Sequence, residues 1–214
     1  MSAVFFDISR ESSEEREAVD RELLSVSSWD EDWLESFDDP KVLVHAIELL
    51  QQKDRLRAKE VTFATMCLEA FIYDFAAHHL GDTYVKKYLD KLDFVAKWVL
   101  VPRLALGREL PRGSQAFEHL TYLVRERNDL VHAKSIILPS GEPTSKTVLD
   151  KIGPVVKKEI ERERLLSKPY EAIVEVLRAL EAIEFAGVLK ARWWELTDAD
   201  PSWRNLGDAG SKLD

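Results

Sequence analysis

Residues 61–80 read Val-Thr-Phe-Ala-Thr-Met-Cys-Leu-Glu-Ala-Phe-Ile-Tyr-Asp-Phe-Ala-Ala-His-His-Leu, and Gly81 follows. Drawn as a helix at 100° per residue, the stretch has apolar side chains on nearly every side: Val61, Phe63, Met66, Leu68, Phe71, Ile72 and Phe75. A helix apolar all round needs a covering neighbour on each face, so it belongs at the centre of a bundle. Gly81 is a fitting stop, because glycine readily takes the left-handed conformation that closes a helix. Upstream, the run without Pro or Gly reaches back to Lys41, and Asp39-Pro40 supplies the residue types of an N-cap and a first helical position. Residues 41–80 therefore read as one very long helix, or as two with the polar stretch Gln51–Lys59 as their joint.

Working outward, Tyr84–Val101 reads as a further helix stopped by Pro102, and residues 102–112 hold Pro102, Gly107 and Pro111, which is loop chemistry. Ser114 is placed to cap a helix running to about Ala133. Pro139-Ser140-Gly141-Glu142-Pro143 is a loop, flanked by short strand candidates at 135–138 and 145–149. Val155–Leu166 and Tyr170–Val188 read as the last helices, the second with a stripe of Ile173, Leu177, Leu180, Ile183 and Ala186. On the other side, residues 7–39 are acidic and polar, with short helical patches at best, and Trp29, Trp33 and Phe37 at one-turn spacing form a docking cluster. From Trp193 onward the chain is a Gly/Asp-rich tail. The expected fold is an all-α bundle with long central helices, divided into an acidic, partly helical segment (1–39), a helical domain (40–188) and a C-terminal tail (189–214).

At 214 residues and 45% hydrophobic, the chain buries a real core, which excludes wholesale disorder. The single cysteine, Cys67, excludes an internal disulfide framework and a Cys-rich zinc site, and fits a reducing, cytoplasmic setting. The opening residues have no basic segment followed by a long apolar run, so no secretory signal is expected. No stretch approaches the roughly 18–20 apolar residues of a membrane span, so no membrane partner is expected either.

The net charge of −9 is unevenly spread. Residues 1–39 hold three basic and 13 acidic side chains, a net of −10, while the other 175 hold 27 basic and 26 acidic. Residues 82–134 carry ten basic groups against seven acidic, among them Lys86, Lys87, Lys91, Lys97, Arg103, Arg108, Arg112 and Arg125. Such asymmetry permits a phosphate-bearing partner without demanding one, and from charge alone solvated helix faces of mixed sign are the favoured reading. The acidic end is also of the right sign to cover the basic middle.

Few groups offer chemistry. His78 and His79 are adjacent and point about 100° apart on a helix, so they cannot chelate one ion together. There is no helical His-x-x-x-His or Glu-x-x-His pair, no Gly-rich phosphate loop and no Gly-x-Ser-x-Gly elbow. Cys67 falls within the buried helix and reads as core. Neither a metal nor a cofactor is expected.

What remains is the helix after Ser114. Ala116, Leu120, Leu123, Val124, Leu130 and Val131 share one of its faces, and Arg127 falls in the middle of that face. A guanidinium in an apolar stripe is costly unless it is paired, bound to an anion or set in an interface. Three outcomes are open: Arg127 snorkels along the bundle edge, pairs with a core carboxylate such as Glu69, or holds an anion. His132 lies about 140° round the helix and roughly 7.5 Å along it, so the two meet on one substrate only if the arginine reaches across, the helix distorts or a second subunit completes the pocket.

The string Arg127-Asn128-Asp129-Leu130-Val131-His132 resembles the Arg–four-to-six-residues–His motif of HEPN domains (higher eukaryotes and prokaryotes nucleotide-binding), in the form with Asn after the Arg. Lys97-Trp98, Val101-Pro102, Gly107 and Val131-His132-Ala133-Lys134 are similar to prokaryotic members, and the resemblance covers residues 40–188. It implies a HEPN-like helical bundle and a metal-independent endoribonuclease of toxin–antitoxin or phage-defence type, working at a composite homodimer site. Carried over, Arg127 holds the scissile phosphate, His132 exchanges protons and Asn128 orients them, while the RNA's own 2′-hydroxyl attacks. The products are then a 2′,3′-cyclic phosphate and a 5′-hydroxyl. Asp129, three residues before His132, either pairs with the imidazole or is solvated. One departure stands out. Where the branch controlled by a nucleotidyltransferase antitoxin has Tyr two positions after the motif His, this chain has Lys134, so that antitoxin is not expected, though another regulatory protein is open.

Two other readings compete with the ribonuclease. One is a catalytically inactive HEPN-like module that binds a protein or nucleotide, its motif serving the fold or dimer interface. The other is an unrelated helical bundle in which Arg127 and Glu69 form a core ion pair.

Overall fold

The computed structural model describes residues 2–26, 40–131 and 168–184. They form six α-helices in chain order: α1 (Ser2–Val26), α2 (Pro40–Leu80), α3 (Asp82–Tyr84), α4 (Phe94–Leu106), α5 (Gln115–Val131) and α6 (Pro169–Ile183). A π-helical turn, Val85–Leu89, continues α3. No strand occurs among the described residues, so the fold is all-α.

The 41-residue α2 is the axis, and α1, α4, α5 and α6 each pack against it. Its C-terminal half buries Val61, Ala64, Cys67, Leu68, Phe71, Ile72, Phe75 and Ala76, as its all-round apolar pattern dictates. Trp98 and Val101 of α4, Leu120 and Leu123 of α5, and Ile173, Leu177 and Leu180 of α6 complete this core. The Trp98 ring stacks on Phe71 with centroids 6.3 Å apart. Pro40 opens α2 as expected, and Gly81 ends it at φ 87°.

Four points of the expected fold are decided. First, α2 is one continuous helix, the former of the two alternatives, and Gln51–Lys59 is no joint. Leu56 is buried there against Val19 and Leu23 of α1, while Arg57, and Glu60 just beyond, are buried because they meet charged partners on α5 and α1. Second, the N-terminal segment is a full 25-residue helix rather than short patches. Its inner face is Ser2, Phe6, Ser9, Ser12, Ser13, Arg16, Val19 and Leu23, a largely three-and-four spacing in which half of the residues are serines. Hydropathy does not register such a seam, yet small side chains let two helices pack closely. α1 runs antiparallel to α2, with Ser9 Oγ donating to the Glu60 carbonyl at 3.0 Å and Lys53 Nζ 2.7 Å from Asp20. That inner face packs on α2 and α6, so Ser2–Val26 is a structural helix of the bundle.

Third, Tyr84–Val101 is two pieces. The chain breaks after the π-helical turn, and Asp93 restarts it as the N-cap of α4, accepting from the Ala96 amide at 2.9 Å. Fourth, Pro102 lies inside α4, which runs on to Leu106 and closes at Gly107 with φ 69°. Proline's φ suits a helix and its ring forfeits one backbone bond; burying Trp98, Val101 and Pro102 outweighs that loss. Ser114 caps α5 as expected, accepting from the Phe117 amide at 3.3 Å. α6 buries Ile173, Leu177 and Leu180 of the anticipated stripe. The Trp29/Trp33/Phe37 cluster, the strand candidates at 135–138 and 145–149, the helix at 155–166, Ala186 and the tail from Trp193 lie outside the described residues.

Candidate functional site

α5 carries the motif helix, and its rotation about its own axis decides what the motif residues can do. Its buried residues are Ala116, Leu120, Leu123 and Glu126. The stripe 116–120–123 continues with equal ease into 126 or 127, since helical spacing allows steps of three or four. The structure takes Glu126 inward, at 3% exposure, and turns Arg127 and Asn128 outward into solvent. Arg127 is therefore not a buried anomaly, and the expectation that it sits at the centre of the covered face is corrected. The cause faces it: Arg57 of α2 selects the neighbour of opposite sign. Arg57 Nε donates to Glu126 Oε1 at 2.9 Å and its Nη2 to Oε2 at 3.0 Å, a bidentate bond between two buried side chains.

This pair is one end of a buried ionic chain. Arg16 of α1 donates from Nε to Glu60 Oε2 at 3.1 Å, and Glu60 lies in the field of both Arg16 and Arg57. Arg16 also reaches Asp20 at 3.5 Å. Signs alternate from Arg16 through Glu60 and Arg57 to Glu126, joining α1, α2 and α5. Burial works to lower the Arg57 pKa, but the Glu126 carboxylate and its hydrogen bonds hold the guanidinium above its ordinary value. For Glu60, burial pushes the carboxyl up, and Arg16 and Arg57 pull against it. Removing one partner from such a bidentate pair strands a buried charge, at about 3–5 kcal/mol.

Arg127 and Glu69 do not form the core pair. Glu69 instead takes Lys97 of α4 at 3.3 Å. Arg127 Nη1 donates to Asn128 Oδ1 at 3.1 Å, and among the described residues no carboxylate lies within ion-pair distance of its guanidinium. On the same face Val124 and Leu130 are half-buried, and Val131 is 66% exposed. The structure thus brings Arg127 and Asn128 together at the outer end of α5, while His132 and Lys134 lie outside the described residues.

Other candidates resolve as follows. Cys67 is fully buried and burial pushes its thiol up, so it is core. His78 is exposed; His79 packs on the Phe75 ring at 4.4 Å, with Nε2 3.6 Å from Glu184 Oε1. Among the described residues no group of three His, Cys, Asp or Glu is gathered to hold a metal ion. No helix among them is long and apolar enough to cross a membrane.

The buried chain of charges escaped the sequence reading, as did a half-buried bond between His119 Nδ1 of α5 and Glu175 of α6. A signal for the first was present: Arg57 and Glu60 stand three apart between Leu56 and Val61 in a helix otherwise bound for the core. His119, one residue before Leu120, offered no comparable signal. Set beside known proteins, this all-α helical bundle matches no family model, no curated protein and no solved structure.

Proposed function

We propose that the protein is a metal-independent endoribonuclease acting in growth arrest or phage defence, with Arg127 as phosphate holder, Asn128 as its orienting partner and His132 as the proton-transfer group. The observation that carries this reading is the outward-facing Arg127 guanidinium, held by Asn128 at 3.1 Å and, among the described residues, without a carboxylate at ion-pair distance. An arginine locked in an internal salt link has its charge and bidentate edge already engaged, whereas this one is exposed to solvent. The resemblance of residues 127–132 to the HEPN motif supplies the rest of the site.

The chemistry is coherent for RNA. The 2′-hydroxyl attacks the adjacent phosphorus, an imidazole near neutral pKa takes and returns protons, and the guanidinium stabilises charge growing on the non-bridging oxygens. The P–O5′ bond breaks, leaving a 2′,3′-cyclic phosphate and a 5′-hydroxyl. A second copy of the chain completes the cleft: the exposed Val131 beside Arg127 is the kind of side chain that a twofold contact covers. The two-copy arrangement also brings an arginine and a histidine from opposite directions onto one phosphate.

The test is cleavage of single-stranded RNA by purified protein in EDTA. Arg127→Ala and His132→Ala should each lower the rate by at least about a hundredfold with the protein still folded. Intact RNA with the parent protein, or parental rates in the double variant, would sink the reading and leave the inactive binding module in its place.

A further inference from the structure

Glu126 and Arg127 are neighbours of opposite charge, and either could continue the buried stripe of α5. The apolar periodicity alone centres that stripe on Arg127; the side chain taken inward is Glu126, and the group that takes it is Arg57. We infer that Arg57 and Glu126 are positioning residues for the Arg127–Asn128 couple: their bidentate bond fixes the rotation of the last turns of α5 so that the motif arginine is presented to solvent rather than drawn into the bundle. As a statement about catalysis this rests on the ribonuclease reading above; as a statement about the helix it does not.

Three features support it. Two parallel N–H···O bonds at 2.9 and 3.0 Å fix direction as well as distance, which a single bond or an apolar contact does not. Arg57 is itself held from behind, because Glu60 sits in its field and is anchored by Arg16 at 3.1 Å. Beyond Leu123, moreover, Glu126 is the one residue of α5 that is fully buried among the described residues: Val124 and Leu130 are half-buried, and Arg125, Arg127, Asn128, Asp129 and Val131 are exposed. The pair is the last fully buried contact before the motif, directly adjoining Arg127 in sequence.

The experiment replaces the pair by apolar side chains of similar length, Arg57→Met with Glu126→Leu in the full chain, which removes the directional bond without stranding a charge. Hydrogen exchange is followed at residues 124–131, with α4 as internal reference, and RNA cleavage is resolved into kcat and KM. Positioning predicts exchange at 124–131 faster by at least about tenfold with α4 unchanged. It also predicts kcat lower by at least about tenfold, with KM within about threefold of the parent. Unchanged exchange at 124–131, or an unchanged kcat, overturns the inference. Should the double variant not fold, Glu126→Gln is judged by the same two readouts. Should the parent protein leave RNA intact, the ribonuclease reading falls by itself, and the exchange measurement still decides whether the pair sets the rotation of α5.

Discussion

The two halves of α2 are one continuous helix with two kinds of interior. Its C-terminal half, from Val61 on, is wrapped by Trp98, Leu120, Ile173 and Leu180 in an apolar core. Around Leu56–Glu60 it is wrapped instead by serines and by the alternating charges Arg16, Glu60, Arg57 and Glu126. The apolar half is specified by volume and is indifferent to direction, so any well-fitting side chain serves. The polar part is specified by partner, sign and bond direction. The candidate site sits beside the second kind. There a single choice between adjacent residues of opposite charge decides which group faces water.

Three substitutions sharpen the contrast. The largest effect belongs to the apolar half: Trp98→Ala leaves a cavity against Phe71 and should lower unfolding free energy by about 3–5 kcal/mol in urea melts. A loss below about 1 kcal/mol would show that this half does not depend on filled volume. On the serine seam the sign of the volume effect reverses. Ser9→Leu adds bulk where α1 meets α2 and removes the bond to the Glu60 carbonyl, so it should destabilise by about 1–3 kcal/mol although it makes the seam more apolar. A stabilising Ser9→Leu would break the comparison.

The smallest effect is a pH dependence. Burial, with His78 adding to it, lowers the His79 pKa below its ordinary 6.5, against the opposing pull of Glu184. The folded state therefore favours neutral His79. Its contribution is complete above 6.5 and is lost as pH falls through the lowered folded value. Relative to His79→Gln, the parent should lose stability as pH falls from above 6.5 through the lowered folded value. A constant gap between the two melts across that range would contradict this.

The centrality of α2 was legible because apolar residues on every side of a helix admit one placement. The ends of α2 and the cap at Ser114 were legible from Pro, Gly and Ser chemistry. α1 was not, because Ser9, Ser12 and Ser13 count as polar although their small size is what suits them to a buried seam. Pro102 was misread because its burial beside Trp98 outweighs one missing backbone bond, and burial is a property of the assembled bundle. At the candidate site, the apolar spacing of α5 gave Arg127 the wrong orientation. What turned it outward is an arginine 70 positions earlier in the chain, and no local window contains both.

The alternation of charge along α1, α2 and α5 also acts against mispairing. If α1 slipped by one turn along α2, about 5.4 Å, Arg16 would leave Glu60 for one of two wrong neighbours. In one direction it would face Arg57, a like charge, and in the other it would be pressed against Ala64, which is sealed from water. A greasy seam of the same length would tolerate both shifts with little loss. The string of ions thus proofreads the alignment of the first helix, admitting a single frame in which every sign finds its opposite.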